Sequence, residues 1–206
     1  MKGRTRKIKA LVISSVILTV VLLGAFGYQN ALAKGKTAEK NAAIDAVVEY
    51  LKGKKMDIHE DALTNMAHSV YRESQQCDID YRLALAVIEA ESNFKNDAVS
   101  SKGARGLFQI KPSLAKYIAK DAGVKYNGDT CLNEPEKNIK LGVYHLSKLV
   151  ENFKSLPTAL HAYNVGEGRL KKRTDKGEPR TAFTKKVMKK YENNMQVLPD
   201  IEDQDN

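Results

Sequence analysis

The stretch YRLALAVIEAES, residues 81–92, limits the possible folds more than any other part of the chain. Leu83, Ala84, Leu85, Ala86, Val87 and Ile88 are apolar at six consecutive positions. A helix built from them has no polar side and must be buried all round. Such a helix needs a shell, and the rest of the chain supplies one. From Thr37 onward apolar residues recur at helical spacing, and strand-type alternation is nowhere sustained. The predicted fold is all-α.

Ala42, Ala43, Ala46, Val47, Tyr50 and Leu51 form one face of a first helix ending near Gly53, and Leu63, Met66, Ala67, Val70 and Tyr71 mark a second. Asp80 is the expected N-cap of the buried third helix. Residues 93–111 concentrate Asn, Asp, Ser and Gly and read as a loop. Pro112 suits the first turn of a short helix. Ile139, Val143, Leu146 and Val150 stripe a long one; Pro157 opens TALHAYN, broken by Gly166 and Gly168; Phe183, Val187 and Tyr191 stripe the last.

The N-terminus has a different character. MKGRTRKIK holds five basic residues and no acid, and the run from Ala10 to Ala33 carries no charge. This is a membrane-targeting pattern whose basic flank keeps the N-terminus cytoplasmic. Residues from 34 onward are then exported, to the periplasm or the extracytoplasmic face of the membrane. Two forms stay open. The apolar run over 10–28 approaches the ~20 residues of an inner-membrane anchor, whereas Ala31-Leu32-Ala33 has the small-x-small form of a signal peptidase site.

With 206 residues and 42% hydrophobic content, the remainder suits one globular domain. The expected organisation is a targeting segment over 1–33, helices over 34–75 packing on the main domain, that domain over 76–196, and an acidic disordered tail over 197–206. Without the five basic residues of the first segment the formal charge falls from +9 to +4. That is a solvated, mildly basic surface, open to weak attraction by an anionic wall polymer; no nucleic-acid partner is expected. Cys77 and Cys131 are the only cysteines, and in an exported chain they are expected to form one structural disulfide. Four scattered histidines and no CxxC motif give no metal-ligand spacing, so neither metal nor cofactor is expected.

Two acids, Glu89 and Glu91, end the buried helix. Positions i and i+2 point roughly 200° apart on a helix, so the two cannot share one site. Glu91 adjoins the loop, where partial burial would raise its pKa and suit it to act as a general acid. The alternative is that both acids pair with surface Lys or Arg near the helix end. The segments GARGLFQI and HAYNVGEG add glycines, Gln, Tyr and Asn, uncharged groups suited to sugar hydroxyls, acetamido groups and pyranose faces.

Taken in order, ALAVIEAESNFKNDAVSSKGARGLFQIKP, NIKLGVYHLSKL and ALHAYNVGEGRL resemble the lytic transglycosylases of the soluble (SLT) type, which share a goose-type-lysozyme-like helical fold. The resemblance covers about residues 78–170 and continues more loosely to 195. It implies a peptidoglycan lyase acting, as a monomer, on the β-1,4 bond between MurNAc and GlcNAc. Glu91 would be the single catalytic acid, and Ser92, Phe108, Gln109, Tyr163 and Asn164 would line the substrate groove. The acid protonates the glycosidic oxygen, then as a base helps the MurNAc 6-hydroxyl attack C1, leaving a 1,6-anhydro end. Glu89 matches no catalytic position. Phe108 stands where Met is common and would be an apolar wall for the sugar; Lys95-Asn96 and EPRTAF also depart from the pattern.

A hydrolytic muramidase using Asp97 as a second carboxylate or a positioned water, and a catalytically silent glycan-binding component of an envelope-spanning machine, are the competing readings. The sequence does not choose between general wall turnover and opening the wall for a secretion, conjugation or pilus machine.

Overall fold

The computed structural model describes the backbone of residues 2–54, 59–171 and 181–200, and the side chains of residues 21–54, 59–170 and 181–200. The chain divides into two compact units, Met1–Ala42 and Ala43–Asn206. The first unit lies within helix α1, Lys2–Gly53, and exposes Val21, Leu22, Leu23 and Phe26. Among the described residues no helix is long and apolar enough to cross a membrane. The expected span over 10–28 falls in part on side chains outside the described residues.

The second unit is built from the last turns of α1 and from α2 (Glu60–Gln76), α3 (Tyr81–Glu91), α4 (Pro112–Ile118), α5 (Pro135–Phe153), α6 (Leu156–Val165), α7 (Glu167–Lys171) and α8 (Ala182–Val197). A 3-10 turn, Asp129–Asn133, precedes α5. No strand forms among the described residues, only isolated bridges joining Arg105 to Val99 and to Ile110. The all-α expectation is met, and α3 takes the central place: Ala84 through Ile88 are wholly buried, chiefly against α8 and α2. Each buried Leu, Val or Ile contributes about 1.5–3 kcal/mol over an exposed one.

Both ends of α3 are held. At its start the Asp80 carboxylate accepts the Arg82 N–H at 2.8 Å, pairs with the Arg82 guanidinium at 2.8 Å and accepts the Tyr191 hydroxyl at 2.7 Å. At its end the Ser92 hydroxyl donates to the Ile88 carbonyl at 3.1 Å, and Lys186 Nζ donates to the Ala90 carbonyl at 2.6 Å. Cations at a helix C-terminus meet orphan carbonyls and the negative end of the dipole.

Three expectations are corrected. Cys77 and Cys131 are free thiols. The Cys77 thiol hydrogen-bonds with Ser147, roughly 18 Å along α5 from the helix start that Cys131 adjoins, at 1.5 Å per residue; a disulfide needs Cα atoms within about 7 Å. The first residues of the tail dock: Leu198 is buried, Tyr81 donates its hydroxyl to the Pro199 carbonyl at 2.6 Å, and Asp200 pairs with Arg82 at 2.8 Å. Residues 201–206 lie outside the described residues. Gly168, expected as a helix breaker, lies inside α7.

Candidate active site

The two acids that end α3 part as their spacing requires. Glu89 is enclosed by charge: Lys54 Nζ at 2.9 Å, Lys190 Nζ at 2.8 Å and the Tyr50 hydroxyl at 2.9 Å. Burial would raise its pKa, but hydrogen bonds from Lys190, Lys54 and Tyr50 outweigh burial and hold it below the usual carboxylate range. Glu89 is therefore a structural anion, and its partners come from α8 and from the end of α1.

Glu91 is in the opposite condition. It is half-buried and has no hydrogen bond or ion pair among the described residues. Burial pushes its pKa up to about 7, against a smaller lowering by the Lys186 charge. A carboxyl group with that proton affinity is a general acid at neutral pH and a competent base once its proton has left.

The chain turns sharply after this residue. Asn93 and Phe94 both adopt left-handed φ values, +50° and +64°, at a cost of about 1–2 kcal/mol each for residues other than glycine. Burial of Phe94 against Tyr50, with ring centroids 6.2 Å apart, offsets that strain. The turn brings residues 95–111 back beside the end of α3.

A single buried side chain organises that loop. Asn138, on α5, accepts the Phe108 N–H at 2.7 Å and donates to the carbonyls of Arg105 at 2.9 Å and Leu132 at 2.8 Å. Gly106 sits at φ +75°, and a Cβ there would fall on the Leu132 carbonyl and the Asn138 amide. The sequence reading assigned Asn138 no role, although it opens the NIKLG segment; an Asn at the start of an apolar helix was the available sign.

Gln109 follows at φ +48°. Its amide nitrogen is spent on the carbonyls of Ala98 at 3.0 Å and Gly106 at 2.9 Å, so only its carbonyl end remains for a ligand. Phe108 departs from expectation. Its ring is fully buried and packed so closely on α5 that any Cβ at Gly142 would collide with it. It is not a wall for the sugar; an apolar residue between two loop anchors was drawn into the core.

Tyr163 brings α6 to the same place. Its hydroxyl donates to the Phe108 carbonyl at 2.7 Å. Its pKa is raised well above the usual phenol value, first by burial and then by the charge of Glu91 nearby. Its ring lies parallel to Phe183, centroids 6.3 Å apart, and tilted against His145 at 5.3 Å. Asn164 is exposed at the end of α6, and Asp97 is exposed on the loop. Tyr163 thus links the two sides, bonded to the carbonyl of Phe108 next to Gln109 and close enough to Glu91 to feel its charge. No group of three or more metal-ligand side chains occurs among the described residues.

These features place a half-buried carboxyl beside polar and aromatic side chains in a helical domain. The sequence model of the Transglycosylase SLT domain matches residues 69–188, more than half of the chain, and the chain belongs to that family. A Haemophilus influenzae protein assigned by name to the soluble lytic murein transglycosylases is 36% identical over 99 residues, covering 48% of this chain and 17% of that protein. The transglycosylase of Enterobacteria phage PRD1 is 30% identical over 116 residues, covering 56% of this chain and 39% of the phage protein. The 70 kDa soluble lytic transglycosylase of Escherichia coli is 29% identical over 50% of this chain and 17% of its own, with a TM-score of 0.48. The chain spans less than half the length of each of these relatives.

Proposed function

We propose that this protein is a peptidoglycan lytic transglycosylase that cleaves the β-1,4 bond between MurNAc and GlcNAc. The observation that carries the reading is the half-buried carboxyl of Glu91, which has no partner among the described residues and whose pKa lies near 7, while its neighbour Glu89 is paired with two lysines. The Glu91 carboxylic acid donates its proton to the glycosidic oxygen as the C1–O bond breaks. The resulting carboxylate accepts the proton of the MurNAc 6-hydroxyl as that oxygen bonds to C1. A 1,6-anhydro end forms and no water is consumed. One carboxyl suffices because the nucleophile is already part of the bound sugar, which makes its attack intramolecular.

Hydrolytic glycosidases add a second carboxylate at about 5–10 Å. Asp97, the acid of the adjoining loop, faces solvent, which suits a solvated turn better than partnership with Glu91. The carbonyl end of Gln109, the ring of Tyr163 and the exposed Asn164 are the groups offered to the glycan, whereas Ser92 is buried with its hydroxyl on the Ile88 carbonyl and supports the end of α3. Export by the basic and apolar N-terminal segment would place the domain beside its substrate outside the cytoplasm.

The test is Glu91→Gln, which keeps the shape of the side chain and removes its proton. Release of soluble fragments from purified cell walls should fall by at least about 10²-fold, with wall binding retained. Unchanged release by Glu91→Gln, or loss of release in Glu89→Gln alone, would contradict the assignment.

A further inference from the structure

The family match begins at residue 69 and ends at residue 188, yet the surroundings of Glu91 extend past both limits. All three partners of Glu89 lie outside it: Tyr50 and Lys54 near the end of α1, and Lys190 in α8. Tyr50 also meets the edge of Phe94 at 6.2 Å and 77°, and the Lys54 ammonium lies over the Tyr50 ring at 4.4 Å from its centroid. Tyr50 of α1 and Lys54 just past its end therefore hold side chains on both sides of the acid, two residues before it at Glu89 and three after it at Phe94.

We propose that Tyr50 and Lys54 are positioning residues for the reaction, holding Glu91 in its reactive orientation through Glu89 and Phe94. The end of α1 then belongs to the catalytic machinery and is more than a flanking helix. The inference rests on Glu91 being the acid of a wall-cleaving enzyme.

The geometry gives the reason. Among the described residues Glu91 has no hydrogen bond of its own to fix its direction, so its orientation depends on the backbone that carries it. That backbone is the last turn of α3 followed at once by two left-handed residues, a conformation that persists only where the surroundings impose it. Tyr50 supplies the packing against the strained Phe94 and, with Lys54, the bonds that fix the turn before it. A displacement on the order of 1 Å in a reacting group can cost up to 10²-fold in rate.

The test measures turnover of dye-labelled cell walls by the full chain at a series of substrate concentrations, for wild type, Tyr50→Phe, Lys54→Met, Lys54→Arg and Glu91→Gln. Melting temperature is followed in parallel. Tyr50→Phe keeps the ring contact and removes the hydroxyl with its bonds to Glu89 and Asn194, and Lys54→Met keeps the chain length and removes only the charge, so both should fold. The proposal expects kcat to fall about tenfold in Lys54→Met and measurably in Tyr50→Phe, with KM within twofold of wild type and recovery in Lys54→Arg. A kcat equal to wild type in Lys54→Met, or a loss that Lys54→Arg does not recover, overturns it. An active Glu91→Gln would instead overturn the assignment of the acid itself.

Discussion

At the scale of single residues, Glu89 and Glu91 show how position on one helix assigns opposite chemistry to the same side chain. Glu89 has two lysines and a tyrosine; Glu91 has burial and, among the described residues, no partner. The sign of the resulting pH dependence can be worked out. A pKa raised from 4.5 to about 7 means the folded state holds the Glu91 proton more tightly than the unfolded chain does. Folding therefore bears no penalty from this group below about pH 4.5, and a growing one as pH rises through 7. Two consequences should appear together. The alkaline limb of kcat/KM should have its midpoint near pH 7, because only the protonated acid begins the reaction. Glu91→Gln should be more stable than wild type at pH 8, by an amount on the order of 2 kcal/mol, and equal to it near pH 4. Chemical denaturation at the two pH values checks this; equal stability at both would mean that Glu91 is not desolvated.

Among the structural elements, the loop over 95–111 depends on α5 through Asn138, and its geometry follows from three bonds of one amide. Asn138→Ala should deprive the Phe108 N–H and the Leu132 carbonyl of their side-chain partner, at about 1–3 kcal/mol for each buried group, while the Arg105 carbonyl keeps the Ile110 N–H. We expect a loss of at least about 2 kcal/mol in unfolding free energy and a fall in wall cleavage larger than that of any exposed loop substitution, measured by denaturation and fragment release. What the sequence made legible here was local. The Asp80 cap, the proline starts of α4 and α6, and the opposed directions of Glu89 and Glu91 follow from local sequence. What it hid was long-range. The partners of Glu89 lie 35 or more residues away along the chain. The role of Asn138 depends on a loop 30 residues upstream. Phe108 could be read as a groove wall or a core residue until its packing on Gly142 was known.

On the scale of the whole second unit, α3 acts as an axle with a fixed point at each end. The Asp80–Arg82–Asp200 network and the Tyr191 and Tyr81 hydroxyls secure its start. Glu89, Ser92 and Lys186 secure its end, where Glu91 stands. The docking of residues 198–200 was hidden in the sequence because the acidic composition of the tail suggested solvation, whereas Leu198 and the Pro199 carbonyl find partners on α3 and its neighbours. The free cysteines were misread for a related reason: compartment argues for a disulfide, but placement along α5 forbids one. The most direct test of the central claim is mass analysis of the muropeptides that the full chain releases from purified cell walls. Fragments ending in 1,6-anhydro-MurNAc, absent with Glu91→Gln, are the predicted result; fragments ending only in reducing MurNAc would mean that water, and not the sugar's own hydroxyl, is the nucleophile.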